Sequence, residues 1–412
     1  MDEPIYRSRP GADALRPASA DAAEQIAPGL WCSPGLSNAY LLTTDDGRVI
    51  VNTGMGFEGP VHRANFDAVD SSPVRYIVFT QGHVDHVGGL DSVRDPETTV
   101  VAQSNWTLWR DDNERLIPYR ANRSAFAFKH TLADGIQAIQ RRLGTKRLPG
   151  QSVPVVDLDF DDTLTLEVGG RRMELIAVPG GETNDSLVVW LPDEAICLCG
   201  NTFGPIFGHI PNLVTMRGDR YRDALTAIDS IERVRALRPE TLVTGHFAPV
   251  TGADRIDAEL SRLRDALRYI HDRTVEGMNA GRDVRTLMRD VALPAEYEVG
   301  EGYGKVAWDV RAIWENYSGW FHHRSTTELY PIGFDEVTAD VVDLAGADAL
   351  VSRSGEHLDA GRPLHAIHLA ELVGADHPGA RDVLKRAHEM LLGESTNFWE
   401  RAWLTEQIEK NA

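Results

Sequence analysis

The amino-acid sequence predicts an α/β domain followed by an all-α region. Strand-like apolar runs separated by glycine-rich turns continue from about residue 28 to residue 250, the pattern of a sheet scaffold with interspersed helices. After about residue 253 the apolar residues change to helical spacing. The expected organisation is an N-terminal extension over residues 1–27, an α/β domain over 28–255 and a helical domain over 256–412.

Six apolar runs predict the β-strands of the α/β domain. They are Ala39–Leu42, Val49–Val51, Tyr76–Phe79, Met173–Val178, Ser186–Leu191 and Thr241–Val243. Several of these runs end directly in polar residues, an arrangement in which a sheet presents a functional site at the ends of its strands.

Apolar residues at spacings of three and four predict the helices of the last domain. Leu260, Leu263, Leu267 and Ile270 form one such stripe, and similar stripes run through residues 310–317 and 383–391. We assign the tryptophans of this region to helix packing or to an interface between subunits; they are Trp308, Trp314, Trp320, Trp399 and Trp403.

Composition narrows the class of protein. The chain has 412 residues, of which 42% are hydrophobic and 25% charged, as is typical of globular proteins. Lys and Arg number 42 against 62 Asp and Glu, which gives a net charge of −20, so nucleic acid is not an expected partner. No apolar run reaches the ~18 residues of a membrane span, so no membrane partner is expected. Three cysteines cannot form a disulfide framework, and we expect a cytoplasmic protein.

One segment departs from the acidic average. Residues 110–147 contain nine basic side chains against four acidic ones, a local surplus that could steer and hold an anionic substrate. A solvated helical insertion explains the same composition equally well. We expect the segment from about 103 to 150 to form part of a pocket wall.

The sharpest chemical signal is residues 80–89, Thr-Gln-Gly-His-Val-Asp-His-Val-Gly-Gly, directly after the strand that ends at Phe79. His83, Asp85 and His86 place two imidazoles and a carboxylate within four residues, where a turn can bring them around one point. These are ligands of divalent metals such as zinc. The segment therefore predicts a metal site.

This segment resembles the His-x-His-x-Asp-His signature of the metallo-β-lactamase superfamily, with Gln81 at the first His position. The resemblance implies an αββα sandwich that holds one or two metal ions at the sheet edges, with a metal-bound hydroxide as nucleophile. An amide oxygen is a weaker zinc ligand than imidazole.

Further segments resemble the alkylsulfatase branch of that superfamily. Residues 178–182, Val-Pro-Gly-Gly-Glu, are similar to its Pro-Gly-x-Glu segment, and 244–246, Thr-Gly-His, to its late His ligand. Residues 211–218 are similar to the segment whose Asn and Arg contact the sulfate group. The resemblance continues through the helical half, which is similar to the dimerisation domain of that branch, so a homodimer is implied.

Carried over residue by residue, the resemblance implies one metal held by Asp85, His86 and His246. A second would be held by Gln81, His83 and Glu182, with Asn201 where the family has a bridging carboxylate. Loss of one imidazole and one carboxylate leaves four outcomes open: a weaker dinuclear site, a single-metal site, another metal or a changed reaction. Zinc is the first choice, and iron or manganese would also suit two histidines and a carboxylate.

The leading hypothesis is a metal-dependent hydrolase of a small anionic ester, first of all an alkyl sulfate. Asp85 would hold the catalytic metal, Arg217 would bind the sulfate oxygens and Asn212 would donate a further hydrogen bond. One alternative is hydrolysis of a lactone, thioester, carboxylic ester or phosphoric ester, since fold alone does not fix the substrate. The other is a non-catalytic metal-binding dimer.

Overall fold

The computed structural model of the chain describes residues 3–18, 22–220 and 222–412. The chain forms two compact units, Met1–Trp314 and Glu315–Ala412. The boundary between these units falls after Trp314, whereas the domain boundary expected from the sequence falls between residues 255 and 256. That domain boundary stays a prediction.

The first unit contains a seven-stranded sheet in which the strands lie in chain order. Strands β1 to β4 pair antiparallel, and β4 to β7 pair parallel. The strands are β1 Glu24–Ala27, β2 Leu30–Ser33, β3 Ala39–Thr44, β4 Gly47–Val51, β5 Val74–Val78, β6 Thr99–Gln103 and β7 Leu158–Phe160.

A six-stranded sheet lies in the same unit, in the order β13-β12-β11-β10-β9-β8. Its strands are β8 Thr163–Val168, β9 Arg171–Ala177, β10 Leu187–Leu191, β11 Ile196–Gly200, β12 Thr241–Thr244 and β13 Val250–Thr251. Only β11 and β12 pair parallel in this sheet.

Side-chain burial shows that the two sheets share a core. Leu42 and Val51 of the first sheet cluster with Leu175, Val189 and Val243 of the second. Because successive side chains of a strand point to opposite faces, Leu41 of β3 faces the other way and packs with helix residues. Strands buried on both faces read as continuous apolar runs, which explains why the runs were visible in the sequence.

Helices cover the outer face of each sheet. Those near the first sheet are α1 Gly59–Val69, α2 Val84–Val87, α3 Leu90–Val93 and α4 Trp106–Leu143. Those near the second are α5 Ala224–Ala236, α6 Ala253–Asn279, α7 Val284–Asp290 and α8 Val306–Ser318. The buried stripe of α6, including Leu263 and Leu267, packs with Ile228 of α5 and Val188 of β10. The predicted αββα layering is thus confirmed.

The second unit is helical, as predicted. Its helices are α9 Thr338–Ala345, α10 Ala347–Asp359, α11 Pro363–Val373, α12 Pro378–Glu394 and α13 Phe398–Lys410. Leu358, Ala366 and Val383 belong to its apolar core. Among the residues that the structure describes, no helix has the length and apolar character needed to cross a membrane.

Candidate metal centre

The chemically capable residues of the first unit follow strand ends. Gln81 and His83 follow β5, Glu182 follows β9, Asn201 follows β11 and His246 follows β12. Strands β9, β11 and β12 run in the same direction, because β9 and β11 are both antiparallel to β10 and β12 is parallel to β11. Their carboxyl ends therefore lie at one edge of the second sheet.

Asp85, His86 and His246 form the first group at this edge, here called the His–Asp cluster. Each side chain offers a ligand atom, and these atoms all lie within 4.8 Å of one another. An oxygen of Asp85 is 3.6 Å from Nε2 of His86 and 3.9 Å from Nε2 of His246. Within the described residues this is the one group of three or more His, Cys, Asp or Glu side chains that meets this distance.

Neighbouring polar groups orient both imidazoles. His246 Nδ1 donates to the Leu36 carbonyl at 2.7 Å. The Ser37 hydroxyl donates to the Gly245 carbonyl and lies 3.3 Å from His86 Nδ1, from which it can accept. Both Nδ1 atoms then carry the proton, so Nε2 of each ring is the unprotonated nitrogen, and it faces Asp85. Support of this kind is typical of histidines that ligate metal.

Protonation states also suit a metal. Burial lowers the pKa of His86 to about 3 and lowers that of His246. Burial opposes ionisation of Asp85, but the adjacent imidazoles of His86 and His246 lower the pKa of its carboxyl below the ordinary value. Two neutral imidazoles and an ionised carboxylate are the form that binds a divalent ion. The His–Asp cluster therefore fits the metal that the resemblance implies.

Two glycines permit the close packing of this region. A Cβ on Gly245 would lie 2.3 Å from Oδ1 of Asn201 and 3.0 Å from the His86 ring. A Cβ on Gly82 would lie 1.9 Å from the Trp109 indole, whose Nε1 donates to the Gly82 carbonyl at 2.7 Å. Any larger side chain at either position would displace a residue of the site.

A second group, here called the arginine cluster, consists of His83, Glu182, Arg217, Asp219 and Arg222. His83 Nδ1 is 3.3 Å from Glu182 and 2.9 Å from the Gln81 side-chain amide. Arg217 Nη2 lies 2.8 Å from His83 Nε2. Since a guanidinium only donates, His83 Nε2 accepts this hydrogen bond.

Guanidinium groups neutralise both carboxylates of the arginine cluster. Arg222 Nη1 donates to Glu182 at 2.8 Å, and Arg217 Nε donates to Asp219 at 2.7 Å. Arg120 Nε, from α4, is 3.5 Å from Asp219. Burial opposes ionisation of Asp219, but Arg217 lowers the pKa of its carboxyl well below the usual range.

The two asparagines predicted for the site are both buried. Asn201 Nδ2 lies 3.2 Å from His246 Nε2, and the backbone carbonyl of Asn212 accepts a hydrogen bond from Arg222 at 2.8 Å. The side-chain oxygens of Asn201, Asn212 and Gln81 are enclosed without a hydrogen-bond partner in the part of the chain that the structure describes. Buried polar atoms of this kind mark places where a ligand can bind.

Three residues of the site were not predicted from the sequence. Asp219 lies two residues after Arg217, and a search for a carboxylate able to orient that arginine would have found it. Arg120 was counted only as part of the basic surplus of residues 110–147, and Arg222 gave no local signal, since the role of each comes from contacts with distant segments. Arg120 also stacks over Trp109, with its guanidinium carbon 5.2 Å from the ring centroid.

A cleft opens beside the arginine cluster. Helix α4 contributes Leu108, Trp109 and Arg120 to its wall, and the segment after β9 contributes Glu182 and Asp185. The segment expected to form a pocket wall thus lines this cleft. Seven of its nine basic residues lie on a 38-residue helix, α4.

Known proteins resemble this chain in two parts. A model of the metallo-beta-lactamase superfamily matches residues 32–246. A model described as alkyl sulfatase dimerisation matches residues 288–410.

Individual proteins that are similar to this chain include alkylsulfatases. A linear primary-alkylsulfatase from a Pseudomonas species is 30% identical over 383 residues, covering 88% of this chain and 72% of the relative. An alkyl/aryl-sulfatase from Saccharomyces cerevisiae is 24% identical, covering 82% of this chain and 55% of the relative. A solved stereoselective inverting sec-alkylsulfatase from Pseudomonas sp. superposes with a TM-score of 0.81 at 21% identity, covering 95% of this chain and 66% of that one. The chain therefore spans about half to three quarters of the length of these relatives.

Proposed function

Because the chain belongs to the alkylsulfatase family of the metallo-beta-lactamase superfamily, we propose that it hydrolyses a sulfate ester at the His–Asp cluster. One observation supports this most directly: Asp85, His86 and His246 bring three metal-ligating side chains within 4.8 Å of one another at the edge of the sandwich. The expected substrate is a small organic sulfate, a monoanion at neutral pH.

Asp85, His86 and His246 would hold the metal ion of this reaction. A divalent metal bound there would polarise the sulfate group and lower the pKa of water towards neutrality. Zinc is the first candidate because imidazole and carboxylate ligands that leave open positions are typical of catalytic zinc. Iron and manganese are the alternatives.

The chain's own cations would bind and orient the substrate. Arg217 Nε is bound to Asp219 and Nη2 to His83, whereas Nη1 has no hydrogen-bond partner among the described residues. A fixed guanidinium with a free N–H pair binds sulfate oxygens through charge-assisted hydrogen bonds. Trp109 and Leu108 of the cleft wall would contact the organic group.

The test is sulfate release by the purified chain, reconstituted with zinc, iron or manganese in parallel. Linear primary and secondary alkyl sulfates are assayed beside a lactone, a thioester, a carboxylic ester and a phosphodiester. Turnover of an alkyl sulfate that is lost in His246→Ala is the expected result. Turnover of another ester class alone would reject sulfate as the substrate group, and metal-loaded protein inert towards every ester would favour a binding role.

A homodimer formed through the helical domain belongs to the same proposal, since the match at residues 288–410 is to a dimerisation domain. Light scattering on the eluted chain should give twice the monomer mass of 45.5 kDa. A single-chain mass at micromolar concentration would contradict it. The cytoplasmic location expected from the sequence stays a prediction.

A further inference from the structure

We propose that this chain holds a single metal ion, at the His–Asp cluster, and that the Arg217 guanidinium takes the place of a second ion. The inference deepens the proposed function, since it concerns the same site. It also changes how the substrate is bound, because one of the two cations facing the sulfate group would be a side chain.

The donor set of the second position is the first reason. Only His83 and Glu182 remain there as ionisable ligands, because Gln81 and Asn201 occupy the other two expected positions with neutral amides. No third His, Cys, Asp or Glu among the described residues joins His83 and Glu182 within 4.8 Å. Amide oxygens bind zinc more weakly than imidazole or carboxylate.

Charge is the second reason. The guanidinium groups of Arg120, Arg217 and Arg222 contact two carboxylates, Glu182 and Asp219, so three positive charges face two negative ones in these contacts. The Glu182 and Arg222 side chains are only 1% and 4% exposed, so water screens their pair poorly. A divalent cation added here would meet like charge in a medium that screens it poorly.

The His–Asp cluster has the opposite charge balance. No Lys or Arg nitrogen of the described residues lies within ion-pair distance of Asp85, whose partners are the imidazoles of His86 and His246. The Asp85 side chain is 28% exposed, and a partly buried carboxylate without a Lys or Arg partner is a favourable position for a metal ion. The arginine cluster therefore already contains its cations, whereas the His–Asp cluster holds a carboxylate without one.

Arg217 has the geometry of a fixed cation. Asp219 holds its Nε at 2.7 Å and His83 accepts from Nη2 at 2.8 Å. Its Nη2 also lies 3.6 Å from Glu182, a carboxylate that the resemblance assigns to the second metal. The guanidinium thus contacts two of the side chains that would ligate a second ion.

The first experiment counts metal on the full chain. Chelator-stripped protein is reconstituted with zinc, and bound zinc is measured by elemental analysis and by calorimetric titration. The matched variants are His83→Ala and His86→Ala, three residues apart along the chain, with circular dichroism as the check on folding. We expect one zinc per wild-type chain, one in His83→Ala and none in His86→Ala. Two zinc ions in wild type, falling to one in His83→Ala, would overturn the inference.

The second experiment restores the missing ligands, with or without Arg217. Gln81→His/Asn201→Glu/Arg217→Ala should bind two zinc ions. The double variant that retains Arg217 should bind the second ion at least tenfold more weakly. Equal affinity in both variants would show that Arg217 does not replace an ion and would overturn the inference.

A third readout distinguishes a cationic role from a structural one. Added guanidinium ion should raise the sulfate turnover of Arg217→Ala at least tenfold, and added zinc should not. Recovery with zinc alone would overturn the inference. Failure of the proposed function is separable, since one zinc per chain without sulfatase activity would reject the substrate and retain the single-metal site.

Discussion

The His–Asp cluster and the arginine cluster both draw on residues 83–86 yet have opposite electrostatics. His83 and His86 are three residues apart, but His83 accepts a hydrogen bond from Arg217 whereas His86 faces the carboxylate of Asp85. The neighbouring elements place the Arg217 guanidinium against His83, and they place the Ser37 hydroxyl beside His86. The ligand type in a motif therefore does not fix the cation that binds it, because the elements packed around it decide the local charge.

Removing a ligand of the His–Asp cluster should have the largest effect. His246→Ala deletes one of two imidazoles, so zinc content should fall to near zero and sulfate turnover by about a thousandfold or more, roughly 4 kcal/mol of transition-state stabilisation. Elemental analysis and sulfate release measure the two quantities. His368→Ala, at an exposed position of the second unit, is the control and should stay within about twofold of wild type. Full zinc content in His246→Ala would exclude this residue as a ligand.

Breaking the buried ion pair of the arginine cluster should affect stability next most strongly. Arg222→Met leaves the Glu182 carboxylate buried without its 2.8 Å partner, and loss of one partner of such a pair costs about 3 to 5 kcal/mol. Urea unfolding of the zinc-loaded protein measures the effect. The matched control is Arg220→Met, whose side chain is 68% exposed and pairs with Asp112; its expected cost is below about 1 kcal/mol. Similar urea midpoints for Arg222→Met and Arg220→Met would show that the ion pair of Glu182 with Arg222 stabilises the protein no more than an exposed pair.

Carboxylates on the two sides of the site should respond to pH in opposite ways. Glu58, behind the His–Asp cluster, accepts from the backbone N–H groups of Ala18, Leu36 and Met55. Glu58 has no Lys or Arg partner within the described ranges, and burial raises its pKa from 4.5 to about 7. By contrast, Arg217 lowers the pKa of Asp219.

A raised carboxyl pKa means that the folded state binds the proton more tightly than the unfolded state. The stability due to Glu58 is therefore complete below about pH 4.5 and is lost as the pH rises through about 7. Between pH 5 and pH 8, the free energy of unfolding of metal-free wild type should fall by up to about 3 kcal/mol relative to that of Glu58→Gln. Parallel pH profiles of the two proteins in urea unfolding would contradict this.

A smaller effect should follow from loosening Arg217 without removing it. Asp219→Asn keeps the side-chain shape but removes the charge that holds Nε of Arg217, so turnover should fall about tenfold, roughly 1.4 kcal/mol. Zinc content should not change. Asp162→Asn, which removes an exposed ion pair with Arg233, is the control and should have wild-type kinetics. Loss of zinc in Asp219→Asn would instead place Asp219 at the metal.

Much of the fold and part of the candidate site could be predicted from local sequence pattern. Six strands were predicted from apolar runs, and the runs of β3, β4 and β10 were visible because these strands are buried on both faces. His83, Asp85 and His86 were visible because they occur within four residues after a strand end. Asp219 and Arg222 were missed, and Arg120 was noticed only within the basic segment, because a single arginine or aspartate has the same local appearance in a cluster as on a solvated surface.

By itself, the sequence determined the layered α/β architecture, the helical second half and the residue types offered at the strand ends. These follow from periodicity and short motifs, which depend on neighbours along the chain. Only the tertiary structure decided which carboxylates are paired with arginine and which remain free for a metal. Arg120 on α4, Glu182 after β9 and Arg222 before α5 meet through packing of distant segments, and charge in a buried site is the sum over all the groups that surround it.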